Sequence, residues 1–212
     1  SLGFLWMIPE DVISLPRLGA YNTHGGLLPR GRGPNPTGWA FRNDEGELGW
    51  TIHRLDTGLD TGPLLAQGRV PYTDDQDIDD LFPAFVGLIL DLWSEALDKI
   101  ARGVEPVPQD ESQAYYAGLF DEEWREIDWS EPARAVHNKV RSLGGGRPGM
   151  QRGGFATIDG HRVVVTKTRL HDGNTNGAAP GTVLNRDDGE LLIQCGDGPL
   201  RVLAWETVDP AS

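Results

Sequence analysis

Four Asp-Gly pairs, at 159–160, 172–173, 188–189 and 197–198, cut the last third of the chain into short β-rich pieces. Asp-Gly accepts the left-handed backbone of a tight hairpin turn, so such a pair between apolar runs marks a chain reversal. The pieces near 154–158, 161–170, 181–186, 190–195 and 199–205 read as strands, and this many short strands with tight turns predict a small barrel. Glycine, at 28 of 212 residues, is about twice its usual ~7% share, which suits a chain with abundant turns.

Ahead of the barrel the periodicity changes. Ser130 reads as an N-cap with Glu131 and Pro132 in the first turn, and Ala133, Val136, Val140 and Leu143 form the buried stripe of a helix. Residues 103–121 lose periodicity and carry prolines, as a linker does. From Ile78 to Ile100, Ile78, Leu81, Phe85, Leu88, Leu92, Ala96 and Ile100 keep helical spacing. Pro83 is tolerated only in a first turn, which places the regular part of that helix from about Asp80. Ala20–His24, Gly49–Leu55 and Leu64–Val70 read as strands, while GGLLPRGRGPNP after His24 is too rich in Gly and Pro for regular structure. The expected organisation is a catalytic domain over 1–107, a linker over 108–121 and a barrel domain over 122–212.

Charge and cysteine content narrow the function classes. The net charge is −13, and residues 1–121 carry 8 Lys+Arg against 19 Asp+Glu, leaving residues 122–212 with 11 against 13. That field repels nucleic-acid backbones and anionic membranes unless a local basic patch overrides it. Lys139, Arg141, Arg147 and Arg152 lie close together in sequence and are the one candidate patch. No apolar run approaches the ~20 residues that span a bilayer, and SLGFLWMIPE has no basic region of the kind that opens a signal peptide. A single cysteine, Cys195, permits no internal disulfide and no cysteine-based zinc site, and fits a reducing cytoplasm.

The chemistry concentrates in residues 20–62. Asn22 and His24 alternate, so they leave the same face of one strand at its C-terminal end, where open α/β sheets place a ligand crevice. Asp60, in the loop LDTGLDTG, is within reach of the same crevice. A carboxamide donates to a developing oxyanion, an imidazole moves a proton near neutral pH, and a carboxylate orients or charges that imidazole. No Ser or Cys sits in a nucleophile setting such as G-x-S-x-G, which favours direct transfer between two bound substrates. No cluster of His and carboxylates has metal-ligand spacing, and no metal is expected.

NTHGGLLPRGRGPNPTGWAF, followed by GWTIHRLDTGLDTGPLLAQ, resembles the signature of the folate-dependent formyltransferases. That family carries N-x-H-x-S-L-L-P, then R-G-x-x-P, a strand of G-x-T-x-H type, and x-D-x-G-x-D-x-G. IDWSEPARAVHNKVRSL, PGMQRGGFATIDGHRVVV and APGTVLNRDDGELLIQCGDGPLRVL are similar to the C-terminal domain of members that formylate methionyl-tRNA. FLWMIPEDV, HGGLLPRGRG and AVHNKVR are similar to a member acting on a UDP-linked aminoarabinose.

The resemblance implies an α/β fold: a Rossmann-like formyltransferase domain, here incomplete, then a small open OB-like barrel. It implies transfer of a formyl group from 10-formyltetrahydrofolate to a primary amine, with Asn22, His24 and Asp60 catalytic. Leu5, Trp6 and Met7 would border the pteridine with the loop of Asp56 and Gly58. The acceptor implied is methionyl-tRNA or an amino sugar nucleotide, and the acidity weighs toward a small amine. An inactive folate-binding or interaction module is the alternative of another class.

Departures from the family pattern carry their own expectations. Only about twenty residues precede Asn22, where the family has several strands and helices, so the chain reads as lacking part of that half. The strand at Ala20–His24 would then have an open edge and the apolar face of the Ile78–Ile100 helix would lack cover, which predicts association, a homodimer included. Gly26 replaces the family's serine, and GGGRPG stands where the tRNA-acting members carry P-W-P. Arg32 is expected to fold its loop by bonding backbone carbonyls, and His53 to be a core or rim residue. His137 is expected at the surface, with His161 and His171 at strand ends or turns. The acidic run TDDQDIDD reads as a solvated helix start.

Overall fold

A computed structural model of the chain describes residues 6–144, 152–173 and 177–208, and its architecture is mixed α/β with two sheets. It divides into two units, one of Ser1–Ala40, Glu45–Tyr72 and Asp80–Leu119, the other of Phe41–Asp44, Thr73–Asp79 and Phe120–Ser212.

The first unit opens with a single helical turn, α1 (Glu10–Ile13), and strand β1 (Tyr21–His24). Helix α2 (Pro36–Arg42) begins at the last residue of the Gly- and Pro-rich stretch after His24, the rest of which forms no helix or strand. Pro36 is its first residue, the one helical position where a missing N–H costs nothing. Strands β2 (Glu47–Arg54) and β3 (Leu64–Pro71) complete an antiparallel sheet of order β1-β2-β3. Helix α3 (Ile78–Ala101) covers one face of it, burying Leu81, Phe85, Leu92 and Ala96, the last two packed with Ile52, Leu65 and Ala66. The stripe expected to lack cover is therefore covered, whereas Phe82, Val86, Leu90 and Leu97 on another face of α3 are exposed. The helix also starts earlier than expected: the Asp77 carboxylate accepts from the Asp79 N–H at 3.0 Å, a cap that carries the helix back to Ile78 and leaves Pro83 inside it.

In the second unit, helix α4 (Ala133–Ser142) precedes strands β4 (Gly154–Ile158), β5 (His161–Leu170), β6 (Val183–Asp187), β7 (Glu190–Gln194) and β8 (Pro199–Thr207). The strands form one antiparallel sheet of order β4-β5-β8-β7-β6. Two of the Asp-Gly pairs turn hairpins with both residues left-handed, Asp159 and Gly160 at φ 49° and 79°, Asp188 and Gly189 at 46° and 82°. The pair at 197–198 does something else, because the Asp197 carboxylate accepts from the Ala133 N–H at 2.7 Å and caps α4 across the fold. Ser130 is thus not the cap: its N–H is taken by Asp128, and Pro132, extended at ψ 144°, ends the approach to the helix. Ala133, Val136 and Val140 close the core with Val163, Val165, Ile193, Leu200 and Val202.

Helix α4 also buries polar residues, and this removes the candidate basic patch. Lys139 and Arg141 are only 5% and 4% exposed. The Lys139 ammonium donates to the Glu126 carbonyl at 2.9 Å and lies over the Trp124 ring, and Arg141 donates to the Thr73 carbonyl and to the Asn138 side chain. Arg152 pairs with Asp79, and Arg147 lies outside the described residues. The acidic run is likewise spent inside this unit: Asp74 pairs with Arg134, Asp75 with Arg169 and Asp77 with Lys167. His137 is buried rather than at the surface, bonded to Thr168 and the Asp74 carbonyl at 2.8 Å each.

Candidate active site

Strand β1 has two unlike faces. Thr23 turns toward α3 and accepts from the Trp93 indole at 2.9 Å. Asn22 and His24 therefore project from the opposite face. The antiparallel register sets Asn22 beside His53 and His24 beside Thr51, so β2 contributes its polar residues to the same face. Thr51 fastens the loop after β1, donating to the Gly26 carbonyl at 2.6 Å and accepting from the Leu28 N–H at 3.2 Å. A Cβ on Gly26 would lie 2.7 Å from Pro36 and 3.0 Å from the His24 Nε2, so the glycine found in place of serine is what this packing accommodates.

Asp60 comes from the loop between β2 and β3. The Asp56 carboxylate shapes that loop by accepting from the Gly58 N–H at 3.1 Å and the Thr61 hydroxyl at 2.7 Å. A Cβ on Gly62 would fall on the Arg54 carbonyl oxygen, so only glycine closes the loop. Asp60 itself takes φ 53°, a left-handed conformation that the surroundings must hold in place. Its Oδ2 accepts from the Gly33 N–H at 2.9 Å and lies 3.5 Å from His24 Nδ1, while Oδ1 lies 3.5 Å from His53 Nε2.

One carboxylate thus stands between two buried imidazoles. His24 Nε2 is 2.8 Å from the Gly31 carbonyl, so Nε2 carries the hydrogen and Nδ1 is the basic nitrogen, facing Asp60. Burial pushes the His24 pKa below its ordinary 6.5, and Asp60 opposes this without overcoming it. The imidazole is neutral at pH 7 and can accept a proton that Asp60 would then stabilise. Burial alone would raise the Asp60 carboxyl, but His53, the His24 charge and the Gly33 N–H together hold it below the usual carboxylate range.

The remaining expected residues are less uniform. Asn22 is half-buried, and its carboxamide makes no hydrogen bond among the described residues. Asp56 Oδ1 and the Gly58 N–H bond to each other within their own loop. Trp6 and Met7 are 73% and 52% exposed, and Leu5 lies outside the described residues. His53, expected in the core or at the rim, is buried and reaches Asp60; its place opposite Asn22 was legible only once strand register was known. Arg32 bonds side chains rather than carbonyls, donating to Gln109 at 2.8 and 3.1 Å and to Glu111 at 2.6 and 2.9 Å. Gln109, in the segment that reads as linker, had no local signal at all. Among the described residues no three His, Cys, Asp or Glu come together as a metal site, and no helix is long and apolar enough to cross a membrane.

Residues 2–86 match the formyl transferase family and residues 120–208 the formyl transferase C-terminal domain. Methionyl-tRNA formyltransferase of Pelobacter propionicus is 40% identical over 202 residues, which cover 95% of this chain and 61% of that protein. The chain spans about three fifths of the length of the curated relatives it matches. The structure of HypX from Aquifex aeolicus with tetrahydrofolic acid shares the fold at TM-score 0.68 and 22% identity, covering 89% of this chain and 32% of HypX. The formyltransferase PseJ from Anoxybacillus kamchatkensis, in complex with UDP-4,6-dideoxy-4-formamido-L-AltNAc and tetrahydrofolate, is 30% identical at TM-score 0.51, over 57% of this chain and 64% of PseJ. The chain belongs to the formyl transferase family.

Proposed function

We propose that this member of the formyl transferase family moves a formyl group from 10-formyltetrahydrofolate to a primary amine. The observation that carries the reading is the single face holding Asn22, His24 and His53, with the Asp60 carboxylate between the two imidazoles. The neutral amine attacks the formyl carbon, forming the new C–N bond. The Asn22 amide, which has no partner of its own among the described residues, donates to the oxyanion of the tetrahedral adduct. His24 takes the proton lost by the amine, and Asp60 stabilises the imidazolium. As the adduct collapses, the bond between carbon and N10 breaks and His24 returns the proton to N10. The residues present fit a folate donor modestly: the exposed indole and thioether of Trp6 and Met7 offer apolar cover, and the chain as a whole is proposed to act in the cytoplasm.

Methionyl-tRNA is the acceptor that the relatives' names favour. A nucleotide-linked amino sugar is a second reading, favoured by the buried or paired state of Lys139, Arg141 and Arg152, three of the four residues of the candidate basic patch. Side-by-side assays with 10-formyltetrahydrofolate and either charged initiator tRNA or nucleotide-linked amino sugars separate them. We expect formyl-amine product with one class. Transfer to neither, by folded protein that binds a non-reactive folate analogue in calorimetry, would instead favour a binding module.

A further inference from the structure

The chain from Val104 to Gln113 is exposed except at Pro106 and Gln109, and Gln109 is where it turns inward. Val107 forms a two-bond bridge with Leu64 at the start of β3, at 2.7 and 2.8 Å, which fixes where Gln109 falls. Its amide N–H groups donate to the carbonyls of Asp60, at 2.8 Å, and of Gly62, at 2.7 Å. Its carbonyl oxygen accepts two bonds from the Arg32 guanidinium, and Arg32 is itself tied by its backbone to Tyr115 and Ala117. The residue after Arg32, Gly33, supplies the N–H that holds the Asp60 carboxylate. Both ends of Asp60, the main-chain carbonyl and the carboxylate, are thus gripped by one assembly built from Arg32, Gly33 and Gln109. The grip falls on a residue at φ 53°, which an L side chain does not keep unaided.

We propose that Gln109 is a positioning residue that fixes the Asp60 carboxylate against His24, so that a segment outside the recognised catalytic motifs completes the site. The proposal rests on the formyl-transfer reading for its kinetic consequence but not for its geometric one. A side chain that merely stabilised the fold would leave the His24 titration where it is. One that holds Asp60 in place would not, because Asp60 is what raises the His24 pKa against burial, with the Gly31 carbonyl acting the same way and His53 acting against it.

The test uses the full chain carrying Gln109→Met, which keeps the length and removes every hydrogen bond, and Gln109→Asn, which keeps the amide but shortens its reach. Asp60→Asn is the reference for complete loss of the carboxylate. The His24 imidazole is followed by NMR titration, assigned by its disappearance in His24→Gln, alongside kcat and KM for formyl transfer. Gln109→Met should lower the His24 midpoint toward the value in Asp60→Asn, with Gln109→Asn between it and the unaltered chain. In turnover, kcat should fall by about tenfold or more while KM for the formyl donor stays within about twofold, as for loss of a group that acts only in the transition state. If Gln109→Met does not fold, Gln109→Asn decides alone. A His24 midpoint unmoved in the folded Gln109 variants overturns the proposal, and so does one unmoved by Asp60→Asn. Unaltered protein that transfers no formyl group while the midpoint shifts as expected would refute the functional reading and leave the positioning role standing.

Discussion

Replacing His24 with alanine should slow formyl transfer by about 10²–10⁴-fold, the range general acid–base groups contribute, without unfolding the chain. The reason is the division of labour around one carboxylate. His24 Nε2 is committed to the Gly31 carbonyl, leaving Nδ1 as the basic nitrogen, 3.5 Å from Asp60. Asn22→Ala should cost about 10²–10³ in kcat, the usual loss for one oxyanion donor, with no change in the pH profile. Asp60→Ala should act through His24 and should therefore also alter that profile. The sign follows from burial: the His24 pKa lies below 6.5, so the base is already free at pH 7 and kcat should fall only as pH drops through a value under 6.5. Removing Asp60 takes away the interaction that raises this pKa, so the acid limb should move further down while the plateau drops. A folded His24→Ala protein with near-native turnover, or an acid limb above 6.5 in the unaltered chain, would defeat the assigned role.

The hairpins were readable because a two-residue turn with both residues left-handed is a local demand that Asp-Gly meets at 159–160 and 188–189. Asn22 and His24 were readable for a similar reason, since alternation in a strand is local and needs no knowledge of what lies opposite. What local pattern could not reach is everything decided by a distant partner. Asp197 caps a helix 64 residues before it in sequence, and Ser130, the better local candidate, is displaced. His137 sits among Asn138, Lys139, Arg141 and Ser142, a polar run that reads as surface and is buried because His137, Lys139, Arg141 and Ser142 find partners elsewhere in the unit while Asn138 accepts from Arg141. Gln109 is 49 residues from the loop it grips, in a stretch of weak periodicity. The basic patch failed the same way, since proximity in sequence said nothing of the acidic run that neutralises Arg152. Buried polar groups are specified by pairing over long range, and a one-dimensional pattern carries little of that information.

His137 also gives the second large expectation, a steep loss of stability in mild acid in the unit built on α4 and β4–β8. The imidazole is 1% exposed, and its Nε2–H donates to the Asp74 carbonyl while Nδ1 accepts from the Thr168 hydroxyl. Burial, reinforced by the neighbouring Arg141 charge, lowers its pKa to about 4 from 6.5. Between those values the unfolded chain binds a proton that the folded chain refuses, so stability rises with pH across the window and is lost as pH falls through it. A shift of that size corresponds to about 3 kcal/mol, a large part of the ~5–15 kcal/mol that holds a domain together. His24 contributes in the same direction from the other unit, so the measurement is a comparison: urea unfolding at pH 7, 5.5 and 4.5 for the unaltered chain and for His137→Gln, read by Trp124 and Trp129 fluorescence. The variant should be less stable at pH 7, having lost one of two buried bonds, yet lose much less on acidification, so that the two stabilities converge toward pH 4.5. Parallel slopes would mean that His137 is protonated without cost. The bond to the Asp74 carbonyl would then tolerate a charged ring, and the acid sensitivity of this unit would have to come from carboxylates such as Asp74, whose pKa the Arg134 hydrogen bonds hold below the usual carboxylate range.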